Sequence, residues 1–144
     1  MKRTLPFILG FFVLILVACA SPATQQSPGG VIGKAVTVEG GSYTDVNVAE
    51  LKAMLASKDF TFINVHIPFE GNIAGTDMSI AYDQIDSNLD RLPADKNAKI
   101  VLYCRSGRMS AIAAKTLVGM GYTNIWNLAG GMVAWEQAGL EIER

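Results

Sequence analysis

Metal-ligating side chains are scarce in this sequence: it holds one histidine and two cysteines in 144 residues. The usual four-ligand zinc sets need more, so a zinc centre of that kind is excluded. No basic block occurs, and the formal net charge is −1. Such a balance lacks the electrostatic footprint of a nucleic-acid binder and argues against nucleic acid as a partner. There is no Cys-x-x-Cys pair and hence no resolving thiol, which excludes a disulfide isomerase. Internal repeats are absent. Half of the residues are apolar, a share inflated by the first eighteen. The remainder still holds enough Val, Ile, Leu, Phe and Trp for one ordinary core, which suits a single domain.

The N-terminus is where long apolar runs do occur. Lys2 and Arg3 precede Leu5 to Ala18, almost wholly apolar. This run is too short to span a bilayer comfortably and has the form of a signal-peptide core behind a positive start. Leu16-Val17-Ala18-Cys19 is similar to a bacterial lipobox. That resemblance implies a lipoprotein signal peptide over residues 1–18 and lipidation of Cys19 as the first mature residue. Several acyl chains on one residue anchor a protein firmly, so the membrane is a partner through the lipid anchor. The expected location is the cell envelope, facing the periplasm or the exterior. Loss of Lys2 and Arg3 leaves ten basic and thirteen acidic residues, near −3. Ala20 to Gly33 is Ser, Pro, Thr, Gln and Gly with no apolar period and reads as a flexible tether. Residues 19–34 thus form the lipidated cysteine and tether, and residues 35–144 the domain.

Along the domain, Ala35 to Val38 reads as a short strand. Asn47-Val48-Ala49-Glu50 is a capping box, followed by Leu51, Met54 and Leu55 at helical spacing, which predicts a helix ending near Lys58. Phe60 to Val65 is a buried strand by its bulky apolar run. A Gly- and Pro-containing loop extends from His66 to Asp77, and Ser79 to Tyr82 suggests a further short strand. Ile85, Leu89 and Leu92 predict a helix stopped by Pro93. Lys99 to Tyr103 is the clearest central strand. Ser110 to Val118 reads as a helix closed by Gly119 and Gly121, Asn124 to Asn127 as a strand, and Gly130-Gly131 as the opening of a helix that runs through Trp135 to Ala138. Strands alternate with helices, so an α/β fold with a mostly parallel sheet is expected.

The chemistry concentrates at the end of the central strand. There Cys104 is followed by Arg105-Ser106-Gly107-Arg108 and then by a helix. Ligands of open parallel sheets bind beyond the carboxyl ends of the strands. The helix turns its free N–H groups and positive dipole end towards the thiol, and two arginines add charge. These effects favour thiolate over thiol. Gly107 lets successive amides converge into an anion cradle. With Cys19 lipidated, Cys104 is the one remaining thiol of an exported chain. That argues for a reactive rather than a purely structural cysteine.

Tyr103-Cys104-Arg105-Ser106-Gly107-Arg108-Met109-Ser110 closely resembles the active-site loop of single-domain rhodaneses. Gly121 to Leu128 is similar to a strand of that family, and Gly130-Gly131-Met132-Val133-Ala134-Trp135 resembles its closing Gly-Gly-x-x-x-Trp helix. Gly71-Asn72-Ile73-Ala74-Gly75-Thr76 resembles a worn Gly-His-Ile-Pro-Gly-Ala. The likeness covers about Val46 to Glu141. It implies a rhodanese-like three-layer α/β fold, with a mostly parallel central sheet flanked by helices. It also implies a sulfurtransferase that needs neither metal nor organic cofactor. Cys104 would be the catalytic nucleophile and would carry a persulfide. Arg105, Ser106, Gly107, Arg108, Met109 and Ser110 would bind the donor, a small sulfur-containing anion such as thiosulfate, and a thiol or cyanide would accept the sulfur.

Asn64 and His66 stand where the family usually has Asp and Arg. His66 is a candidate accessory residue, either orienting substrate or acting as a base. The alternative is a structural imidazole paired with Glu70. Met109 takes a position where some relatives carry a polar or cationic residue. A phosphatase or arsenate reductase needs an arginine at the sixth residue after the cysteine; here that residue is Ser110, and Arg108 is the fourth. The remaining rival is a non-catalytic binding module, or a sulfur carrier whose donor is another protein.

Overall fold

In the computed structural model, which describes residues 31–144, the chain builds one six-stranded sheet. The expected signal peptide, the lipidation of Cys19 and the tether as far as residue 30 lie outside the described residues. The elements are β1 (Lys34–Val38), β2 (Gly41–Val46), α1 (Val48–Ala56), β3 (Thr61–Asn64), β4 (Met78–Ser79), β5 (Ile100–Tyr103), α2 (Arg108–Gly119), β6 (Ile125–Leu128) and α3 (Gly131–Gln137). The strand order is β1-β2-β6-β5-β3-β4. Only β1 and β2 run antiparallel; every other pairing is parallel. The architecture is the three-layer α/β arrangement expected from the sequence.

Strand alternation divides the core. Successive side chains of a strand point to opposite faces. On β5, Ile100 and Leu102 join Ala113, Ala114 and Leu117 of α2. Val101 and Tyr103 join Leu51 and Met54 of α1 and Met132 and Trp135 of α3 on the other face. All four residues of β5 are buried, as the central strand of a sheet covered on both faces requires. Each fully buried aliphatic side chain here contributes about 1.5–3 kcal/mol of hydrophobic free energy. Continuing the alternation one step places Cys104 in the α2-side cluster. The strand's parity thus decides which face receives the thiol.

The capping box forms as read: the Asn47 side chain accepts from the Glu50 amide at 3.0 Å, and Glu50 accepts from the Asn47 amide at 2.9 Å. Glu50 also accepts from the Gly33 amide at 3.0 Å, and Val31 packs against the α1-side core. The last residues read as tether are therefore docked on the domain.

Two expectations are corrected, and one strand was not foreseen. Ile85 to Leu92 is no α-helix: it follows a 3₁₀ turn at Tyr82–Gln84 and itself winds into 3₁₀ geometry over Asp86–Arg91. No side chain caps their first amides, and Asn88 leaves helical geometry at φ −123°, so the tighter turns take over. The strand expected over Ser79 to Tyr82 is only Met78–Ser79, because Tyr82 already belongs to the first turn. β2 has no counterpart in the sequence reading. Its Gly, Ser and Asp are poor strand formers, and pairing with β1 and β6 imposes the extended form. In addition, α2 starts at Arg108, two residues earlier than read.

Candidate active site

Cys104 follows β5 directly, and the chain then turns through Gly107 into α2. Gly107 holds φ +88°, a left-handed conformation that L side chains rarely adopt. That turn brings the Gly107 amide to 3.1 Å from the Cys104 Sγ, where it donates to the sulfur. The Ser110 hydroxyl, one turn into α2, lies 3.5 Å from Sγ and 3.1 Å from the Gly107 carbonyl. Its single proton serves one acceptor at a time. The sulfur therefore faces an amide, a hydroxyl and the positive end of a twelve-residue helix. Cys104 is buried, 1 % exposed.

The charges of this loop carry further information. Arg108 is the first residue of α2, it is exposed, and the first turn contains no acid. A cation at a helix N-terminus opposes the dipole, and an acid there would be the stabilising choice. The reversed pattern raises the positive potential above the cysteine. Among the described residues Arg108 forms no ion pair. Arg105 is different: its Nη1 sits 2.7 and 2.6 Å from the two carboxylate oxygens of Glu70. Its charge, assigned from the sequence to the donor, is thus engaged by Glu70. Desolvation pushes the Glu70 carboxyl up, but Arg105, with a smaller contribution from His66, outweighs it and holds the carboxyl below its usual range.

His66 comes to the same carboxylate. Its Nε2 is 3.6 Å from Glu70 Oε2, within ion-pair range but too long for a hydrogen bond. The pairing of His66 with Glu70 read from the sequence is present, and Arg105 shares the partner. Both imidazole nitrogens are buried and have no hydrogen-bond partner among the described residues.

Asn64 braces this loop. Its amide nitrogen donates to the Gly71 carbonyl at 2.8 Å and to Asn72 Oδ1 at 3.0 Å, and its oxygen accepts from the His66 amide at 2.9 Å. Tyr103 completes the brace from β5: its hydroxyl accepts from the Ile73 amide at 3.0 Å and bonds Thr76 Oγ1 at 2.7 Å.

Ser106 is exposed at the loop tip, and Met109 is half-buried against the α2-side core, where it offers apolar contact rather than charge. Two functional supports escaped the sequence reading. One is the Glu70–Arg105 pair. The other is α3, whose first free amides bind the loop from below: Met132 donates to the Cys104 carbonyl and Val133 to the Arg105 carbonyl, each at 2.9 Å. The signal for α3 was the Gly-Gly step, since a helix start always has spare donors.

The Rhodanese-like domain family matches residues 47–138 of the chain. A protein of Allochromatium vinosum named as a sulfurtransferase is 30 % identical over 102 residues, covering 68 % of this chain and 92 % of that protein. The tRNA uridine(34) hydroxylase of Erwinia tasmaniensis is 26 % identical over 121 residues; 77 % of this chain is covered, but only 35 % of the hydroxylase. Among solved structures, a rhodanese-like domain protein from Staphylococcus aureus superposes with TM-score 0.58 at 32 % identity, covering 69 % of this chain and 98 % of that one.

Proposed function

The chain belongs to the rhodanese-like domain family, and from that premise we propose that it is a sulfurtransferase moving sulfane sulfur through a persulfide on Cys104. The observation that carries this reading is the Gly107 amide at 3.1 Å from the Cys104 Sγ, at the N-terminus of α2. A preorganised donor aimed at a sulfur stabilises negative charge that forms there.

In the proposed reaction the Cys104 thiolate attacks the sulfane sulfur of thiosulfate. A sulfur–sulfur bond forms to Cys104, the sulfur–sulfur bond of thiosulfate breaks, and sulfite leaves with its electron pair. The persulfide anion rests on the loop amides. Cyanide or a thiol then attacks the outer sulfur, and the Cys104 thiolate is regenerated. Arg108 draws the anionic donor to the loop, and Ser110 donates to whichever sulfur carries the charge. The proposal includes a lipid anchor on Cys19 and a place at the cell envelope, supported by the lipobox-like sequence.

The burial of Cys104 favours a second reading. Cys104 is 1 % exposed, and a protein donor docking at the loop would deliver sulfur directly to a buried thiol. Intact-mass measurement after incubation of the full chain with thiosulfate tests both. A gain of one sulfur atom that dithiothreitol removes and Cys104→Ser abolishes supports the enzyme. No gain from thiosulfate, with a gain from a persulfidated protein donor, supports the carrier.

A further inference from the structure

His66 is a titratable side chain at the site that the proposed reaction does not use. Its side chain is 7 % exposed, both ring nitrogens lack a hydrogen-bond partner among the described residues, and its nearest charge is the carboxylate that also holds Arg105. Glu70 Oε2 is common to both contacts, 2.6 Å from Arg105 and 3.6 Å from His66. One carboxylate thus stands between a permanent cation and a conditional one.

We propose that Glu70 is a positioning residue that parks Arg105, and that the proton on His66 decides whether Arg105 stays parked or turns to the anionic sulfur donor. This inference rests on the sulfur-transfer reading. With His66 neutral, Glu70 and Arg105 cancel and the cluster offers no net charge to an anion. A proton taken from solvent makes His66 a second partner for Glu70 and leaves the cluster with one net positive charge beside the cysteine loop. The imidazolium draws on Oε2, and the Arg105 side chain, already 57 % exposed, is freed to swing towards the donor. Imidazole is the side chain that ordinarily changes charge between about pH 5 and 8, which sets the range of the test.

The surroundings do not supply a competing switch. Among the described residues the charged contact of His66 is Glu70, and Glu70 and Arg105 share a small cavity with Glu136 of α3 and Arg144 of the C-terminal segment. Glu136 and Arg144 pair with each other across the cavity of about 50 Å³ that they share with Glu70 and Arg105. Glu143 pairs through its backbone with Asn72.

The chain contains a single histidine, so its imidazole resonances are unambiguous. The test follows them by ¹⁵N NMR in the detergent-solubilised full chain, together with the Arg105 Nε signal, across pH 5 to 8. The expected result is that the Arg105 signal shifts with the same midpoint as His66. In parallel, KM for thiosulfate should fall about three- to tenfold as the pH drops through that midpoint. His66→Gln should flatten the response at the high-pH KM, and Glu70→Gln at the low-pH KM. An Arg105 signal that stays still while His66 titrates would overturn the proposal, and this measurement needs no variant to fold. A pH response retained in His66→Gln would overturn it as well. Coupled NMR titrations in a chain that thiosulfate never loads would uphold the switch and sink the thiosulfate reading instead.

Discussion

Gly131 and Cys104 are in direct backbone contact. A side chain at Gly131 would overlap the Cys104 carbonyl oxygen and would stand 2.7 Å from the carbonyl carbon of Arg105. This contact lets α3 hold the cysteine loop by its carbonyls while the start of α2 holds the sulfur. Gly131 also sits at φ +57°, so Gly131→Ala adds backbone strain to the overlap. The expected loss is about 2–4 kcal/mol in urea unfolding, with sulfur loading of Cys104 reduced in the protein that remains folded. A variant as stable and as active as the parent would refute the role given to α3.

Gly107→Ala should act more on chemistry than on stability. Its Cβ would meet the Gly130 amide nitrogen at 3.0 Å, a distance at which the neighbour gives by a few tenths of an ångström. The left-handed φ is the larger obstacle, and relieving it turns the Gly107 amide away from Sγ. Loss of one preorganised donor of this kind costs about 10²–10³-fold in rate. Stopped-flow persulfide formation by Gly107→Ala against the parent measures this directly.

Tyr103→Phe separates the brace from the chemistry. The variant leaves the buried Ile73 amide without its acceptor, which costs about 1–3 kcal/mol. Tyr103 points to the α1 and α3 face, whereas Cys104 belongs to the α2 face. Urea midpoints should therefore fall while the folded variant still takes up one sulfur from the donor. Loss of uptake in a fully folded variant would contradict this separation.

Asp77 gives the fold an acid-side dependence. Burial pushes its carboxyl up, but the Lys58 ammonium at 2.6 Å and the Phe62 amide at 2.7 Å outweigh that and hold it below its usual range. A carboxyl whose folded value lies below its unfolded value contributes stability above the unfolded value, about pH 4, and loses it as the pH falls through the folded one. Asp77→Asn should lower the urea midpoint at neutral pH, and its gap to the parent should close as the solution is acidified past the carboxylate range. A gap that persists unchanged in acid would remove Asp77 from the linkage.

Much of this was legible in the chain itself. The Asn47–Glu50 capping box, the β5 run and the Cys104-to-Arg108 loop are local signals, because residues a few positions apart decide them. What stayed hidden was non-local. β2 is extended because β1 and β6 flank it, although its Gly, Ser and Asp disfavour strands. The segment from Ile85 to Leu92 has a helical spacing of apolar residues, yet nothing caps its first amides and the chain winds into 3₁₀ turns. Arg105 could be placed beside Cys104 from the sequence, but not on Glu70, which is 35 residues away.

By itself, the sequence determined the candidate reactive atom and the turn that presents it. A strand, a cysteine, a glycine and a helix start are contiguous, and their geometry follows from backbone rules that act over a few residues. Only the tertiary structure decided how that atom is supported and which charges it meets. The parity of β5 sends Cys104 to the α2 face, α3 grips the loop carbonyls, and the loop after β3 brings Glu70 between Arg105 and His66. Those relations join segments distant in the chain, and packing of the two faces of the sheet establishes them.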